Sequence, residues 1–306
     1  MRLHSLTRGL IAATATVVGL LSLTTSAASA IVGGQDATQT YPGMTFVAVQ
    51  YPGIGTAQCG GSLITPSIVL TAEHCLADEF AAPDVVAVPA EHVSFHIGSN
   101  DRTTGGFEAT ASKILLNPVF SWLLPTGLPP WDFALVKLAK PVPARLMPLG
   151  VRHVDPGDTD RAIGWGLTTF PVPPGYPLPT MLQQRDITVL PASDCAGGAI
   201  GVGEICVSEG PCFGESGGPL LAHAWDRWKE VGLTSRESTD PEDPDANPCA
   251  APVIYTDLTY PPFREWIAET IRTERSQPCS SRVTVRSLSP ATRNRINRLK
   301  PQLSRS

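Results

Sequence analysis

Short stretches in which apolar and polar residues alternate recur along the chain, at residues 44–49, 61–70, 92–97, 133–138, 186–190 and 253–258. Each has strand length, β-branched or aromatic content, and Gly, Pro, Asn or Asp at its borders, the pattern of strands that bury one face and wet the other. One helix is predicted, close to the end. Pro262 suits a first helical position, and Phe263, Trp266, Ile267 and Ile271 recur at helical spacing to make one apolar stripe. The Pro-rich segments 123–130, 170–179 and 240–252 read as surface loops, because strand patterns resume on both sides of each. No alternation of strands with helices and no internal repeat is found, so the pattern predicts an all-β protein.

The two ends of the chain follow different rules. Arg2 and Arg8 precede a mostly apolar run at 10–23, and Ala28, Ser29 and Ala30 offer small residues for cleavage, so residues 1–30 read as a secretory signal peptide. A membrane anchor wants about 20 apolar residues, and Thr and Ser interrupt this shorter run. No later stretch predicts a membrane span. Periodicity stops after the helix, and residues 273–306 read as a basic, disordered tail. With 27 Gly and 30 Pro among 306 residues, punctuation of many short strands is favoured over a low-complexity chain. The net charge of −5 and 7% aromatic content suggest no nucleic-acid groove. That charge is unevenly placed: residues 272–306 are +8 and residues 31–271 are −15. The tail is therefore expected to meet an anionic surface or to be trimmed.

Export permits disulfides, and six of the seven cysteines could pair. Zinc is the competing use, but no C-x2-C knuckle is present. The acids Asp78, Glu79, Asp84 and Glu91 have no recognisable ligand spacing, and neither a metal nor another cofactor is expected.

Ser216 sits among glycines in Gly214-Glu215-Ser216-Gly217-Gly218. Small neighbours leave a hydroxyl open to attack a carbonyl, and free backbone N–H groups can face the oxyanion that results. The same five residues fit the nucleophile elbow of an esterase, although Pro219 follows where that reading wants a helix. Upstream, Thr71-Ala72-Glu73-His74-Cys75 supplies a histidine, and Trp131-Asp132-Phe133-Ala134-Leu135 places an acid at the head of an apolar strand.

In the order His, Asp, Ser, these motifs resemble the trypsin/chymotrypsin family of serine proteases. Ile31-Val32-Gly33-Gly34, Cys59-Gly60-Gly61-Ser62-Leu63-Ile64, Gly164-Trp165-Gly166 and the Trp266 helix extend the resemblance over 31–272. It implies two six-stranded antiparallel β-barrels, divided near 140–145, with a C-terminal helix and a cleft between the barrels. It implies disulfides Cys59–Cys75, Cys195–Cys206 and Cys212–Cys249, with Cys279 left over. Ser216 would be the nucleophile, His74 the general base and Asp132 its orienting acid, with an oxyanion hole at the N–H groups of Gly214 and Ser216. Protein or peptide substrates follow; an inactive homologue acting as a binding protein is the alternative. For His92, His96, His153 and His223 the expectation is surface or packed histidine.

The departures from the family carry expectations of their own. Glu215 stands where relatives have Asp, the partner of a newly made amino terminus, here Ile31, which signal peptidase would create directly. Ser235 is expected to support Asp132, and Arg236 and Glu237 replace a Trp-Gly pair along the substrate backbone. Glu73, in place of a small residue, is expected to face solvent. Gly210 at the pocket floor carries no charge and Val253 narrows the cavity, which implies small or medium aliphatic P1 residues; Glu237 at the mouth could instead attract a basic one.

Overall fold

The computed structural model describes residues 31–81, 84–121, 131–167, 169–171, 178–224, 227–239 and 246–276. The signal-like segment 1–30, the tail beyond 276 and most of the three Pro-rich loops lie outside the described residues.

In chain order the strands are β1 (Gln35–Asp36), β2 (Met44–Tyr51), β3 (Gly55–Thr65), β4 (Ile68–Thr71), β5 (Val93–Ile97), β6 (Phe107–Leu115) and β7 (Ala134–Leu138). They continue with β8 (Thr159–Gly164), β9 (Gln183–Leu190), β10 (Glu204–Val207), β11 (Pro219–Ala224), β12 (Arg227–Glu237) and β13 (Val253–Asp257), and helix α1 (Pro261–Ser276) follows. The order β2-β3-β4-β7-β6-β5 closes one six-stranded antiparallel barrel. In the second, β8-β9-β10-β13-β12-β11, pairing of β8 with both β9 and β11 closes the ring, and β1 adds a short edge to β9. The all-β, two-barrel expectation is met.

The side-chain pattern explains the closure. Val93, Phe95 and Ile97 alternate along β5 and all reach the first core, as Val47 and Val49 do from β2. By contrast Ala134, Leu135 and Val136 are consecutive and all buried, because β7 is covered outside the barrel as well as within. The cover is α1, whose Phe263 ring lies 4.8 Å from that of Phe133 and whose Trp266 ring lies 5.4 Å from it.

Three expectations need correction. The run 61–70 is two strands, because Pro66 and Ser67 turn the chain between β3 and β4. Strand β6 escaped notice because only Ala111 of its nine residues is buried, which erases the alternation. The helix also runs to Ser276, past the expected start of the tail at 273, because Glu274 turns inward to Lys113 at 2.6 Å and Lys137 at 3.1 Å.

Candidate functional site

The two barrels bring three segments together. β4 ends at Thr71 and releases the turn that carries His74; the approach to β7 carries Asp132; the connection from β10 to β11 carries Ser216. Disulfide Cys59–Cys75 pins the His74 turn to β3. Trp131 takes φ of 37°, in the left-handed region that costs a bulky side chain, and its ring packs 4.8 Å from Phe263. Burial of that indole holds the bend that turns Asp132 toward His74.

Asp132 is buried, and its carboxylate accepts three hydrogen bonds: from the His74 backbone N–H at 3.0 Å, from His74 Nδ1 at 2.7 Å and from the Ser235 hydroxyl at 2.7 Å. A carboxylate only accepts, so Nδ1 carries the proton and Nε2 is left as the base. Thr256 adds a bond to the Asp132 carbonyl at 3.0 Å, a support that the sequence reading missed. Burial raises the Asp132 pKa, but His74 and the other donors outweigh it and hold the acid below its ordinary value. Burial likewise disfavours the imidazolium of His74, yet Asp132 and then Glu237 draw its pKa upward.

Ser216 is half-buried on the turn between Gly214 and Gly218, its carbonyl accepting from Gly60 N–H at 2.8 Å. Cys75 Sγ, next to His74 in the chain, lies 3.8 Å from the same carbonyl oxygen. Among the described residues no hydrogen bond joins the Ser216 hydroxyl to the His74 ring. Gly214 has φ of 91°, a left-handed conformation that calls for glycine.

Glu215 points away from the cleft into the second barrel. Its carboxyl accepts from Gly166 N–H at 2.6 Å, and a side chain on Gly164 would collide with it. Burial pushes its pKa up to about 8. Ile31 is fully buried in the core of that barrel together with Tyr255, a ring electrostatically coupled to Glu215. Glu73 is the one departure that the sequence reading placed wrongly. It is fully buried rather than solvent-facing, with Asn117 N–H donating to Oε2 at 2.5 Å, and burial raises its pKa well above the carboxylate range. Its position beside His74 marked it in the sequence, but its direction depends on the turn, where its carbonyl accepts from Leu76 and Ala77.

Gly210 lies beside Ile31 and Arg185, and Val253 is buried in the second core and registers with Glu237 across β12 and β13. Arg236 turns to Glu204, making bonds of 2.5 and 2.9 Å, and to the carbonyls of Gly198 and Ala199. Three of the other four histidines are paired or packed, His96 with Glu108, His153 with Asp257 and His223 against the Trp228 ring, and His92 is half-buried in the turn before β5. The six cysteines Cys59, Cys75, Cys195, Cys206, Cys212 and Cys249 form the three expected disulfides. Among the described residues no cluster of His, Cys, Asp or Glu is arranged to hold a metal, and no helix is long and apolar enough to cross a membrane.

Known proteins resemble the chain. Glucanase inhibitor protein 2 of Phytophthora sojae is 31% identical over 181 residues, which span 55% of this chain and 55% of that protein. Kallikrein 1-related peptidase b27 of Mus musculus is 30% identical over 237 residues, 70% of this chain and 80% of that one. Among solved structures, neuropsin, a serine protease expressed in mouse brain, superposes with a TM-score of 0.60 at 21% identity, covering 79% of this chain and all of its own; it shares the fold. The family model described as Trypsin matches residues 31–267, and the chain belongs to that family of serine proteases.

Proposed function

We propose that the chain is a secreted serine endopeptidase in which Ser216 attacks the scissile carbonyl while His74 Nε2 takes its proton and returns it to the leaving amine. Asp132 fixes the tautomer and stabilises the imidazolium, and the N–H groups of Gly214 and Ser216 receive the oxyanion. The observation that carries this reading is the buried Asp132 carboxylate, whose Oδ2 accepts from both His74 Nδ1 and the Ser235 hydroxyl. The missing bond between Ser216 and His74 is compatible with it, since such contacts often tighten only when substrate is bound. Gly210 and Val253 support small or medium aliphatic P1 residues.

Removal of residues 1–30 would give Ile31 a charged amino group for the buried Glu215, assembling the oxyanion hole. The α-amino group has an ordinary pKa of about 7.7–8.0, so activity should fall at alkaline pH as it loses its proton. N-terminal sequencing of active material should return Ile31; active material with any other start would defeat this route. Hydrolysis of casein that a serine-directed phosphonate abolishes, and that Ser216→Ala lacks, tests the reaction itself. A second reading, a catalytically silent binding protein, draws support from the relative named as a glucanase inhibitor. Failure of the mature chain to react with the phosphonate would favour it.

A further inference from the structure

Glu237 is a carboxylate at the cleft with no cation of its own. Arg236, its neighbour, is held by both oxygens of Glu204 and by two carbonyls on the opposite side. Among the described residues no Lys or Arg pairs with Glu237. The charged group that interacts with it is His74 on the turn after β4, itself bonded to Asp132 ahead of β7, while Arg236 is turned to Glu204 on β10. Burial raises the Glu237 pKa, and His74 alone among side chains opposes that rise.

The strand edge indicates what the carboxylate meets. Pairing of β12 with β11 ends at Leu233, and Thr234 still exchanges bonds with Gly217 and Gly218. Beyond that point Ser235 to Glu237 have β13 on one side only, so an extended peptide can add on the other side. Ser235, bonded to Asp132, is the first residue of this open edge and the one nearest the His74–Asp132 pair, and we take P1, the residue whose carbonyl Ser216 attacks, to lie against it. In an antiparallel addition the residue two positions earlier, P3, falls opposite Glu237, and directly opposed side chains share a face.

The pocket floor is unsuited to the same charge. A Cβ on Gly210 would lie 3.0 Å from Arg185 Nη1, a guanidinium already bonded to Val32 O at 2.5 Å and to Glu209 at 2.9 Å. A cationic P1 side chain would carry its charge past Glu237 toward that guanidinium.

We infer that Glu237 is a specificity-determining residue that selects Arg or Lys at P3 of a substrate whose P1 residue is aliphatic. The inference rests on the protease reading above. The test uses the secreted, processed chain and pairs of peptides identical except for Arg or its neutral isostere citrulline, placed at P3 in one pair and at P1 in the other. A ratio of kcat/KM cancels the titration of His74, which both members of a pair share. A charge-assisted bond in a partly desolvated site predicts a ratio of about tenfold at P3. That ratio should rise with pH as Glu237 loses its proton and collapse to near one in Glu237→Gln. Glu237→Lys should reverse the preference, toward Glu over Gln at P3. A P3 ratio near one in the unmodified protein, a preference confined to P1, or a P3 ratio that survives Glu237→Gln would each overturn the inference while leaving the protease reading intact. Failure to cleave any of the peptides would overturn both.

Discussion

Asp132 shows how much one side chain is asked to do. Three donors converge on its carboxylate, the His74 backbone N–H at Oδ1 and both His74 Nδ1 and the Ser235 hydroxyl at Oδ2; an amide in its place must turn its NH2 either to that backbone N–H, which cannot accept, or to Nδ1, which must then give up its proton. Asp132→Asn should therefore lower kcat by about 10⁴-fold through the wrong imidazole tautomer, with far less effect on KM, as steady-state kinetics would report. Glu215 poses a problem of size. Its extra methylene is accommodated because Gly164 offers no Cβ and Gly166 offers an N–H. Overpacking of this kind costs about 1–3 kcal/mol, so Gly164→Ala should lower the melting temperature, and adding Glu215→Asp should recover part of the loss. Recovery of none would show that the collision is not with this side chain.

Helix α1 belongs to the first barrel although it ends the described chain. Phe263 and Trp266 close over Phe133, immediately beside Asp132, and Glu274 ties the last turn to Lys113 on β6 and Lys137 on β7. The boundary is testable by truncation. Ending the chain at Ser276 should leave stability and peptide hydrolysis unchanged, whereas ending it at Arg272 removes the buried carboxylate and leaves two lysines without it. Hydrogen bonds to charged groups are worth roughly 1.5–3 kcal/mol, and the lysines are partly exposed, so a loss near the lower figure is expected in denaturant titration. Equal stability of the two truncations would show that the last turn contributes nothing.

Across the whole molecule, buried acids set the response to pH. Glu230 is pushed to about 8 and Asp160 to about 6, in each case chiefly by burial, whereas Glu215 leaves this group once the proposed processing gives it the Ile31 amino group as a partner. Glu230 faces Ser62 of β3 from β12, and neither of its carboxyl oxygens has a hydrogen-bond partner among the described residues. An acid whose pKa is higher folded than unfolded contributes full stability below its unfolded value and loses it as pH rises through the folded one. Stability of the Ser216→Ala chain, which cannot digest itself, should accordingly fall between about pH 5 and pH 8. A fully buried group shifted this far accounts for at most about 4–5 kcal/mol. Glu230→Gln should flatten part of the slope, and an unchanged slope would remove Glu230 from the account.

The sequence by itself determined the β architecture and the terminal helix, and the family resemblance of its motifs supplied the three cystine pairs and the pairing of His74 with Asp132. Alternation along β2 and β5, the apolar stripe of α1 and the short motifs around His74, Asp132 and Ser216 are local features, each legible within a few positions. The tertiary structure alone decided what depends on contacts between distant segments. It showed why β6, although one of the six barrel strands, carries no clear alternation: Ala111 alone is fully buried, while Ala109, Ile114 and Leu115 reach the core only in part. It turned Glu73 inward beneath Asn117, carried the helix on to Glu274, placed Glu230 between the barrels and drew Arg236 away to Glu204 so that Glu237 faces the cleft uncompensated. In each case the same residue type would read as a solvated charge, and only its neighbours in space, supplied by segments 30 to 160 residues away, fix its burial and its proton affinity.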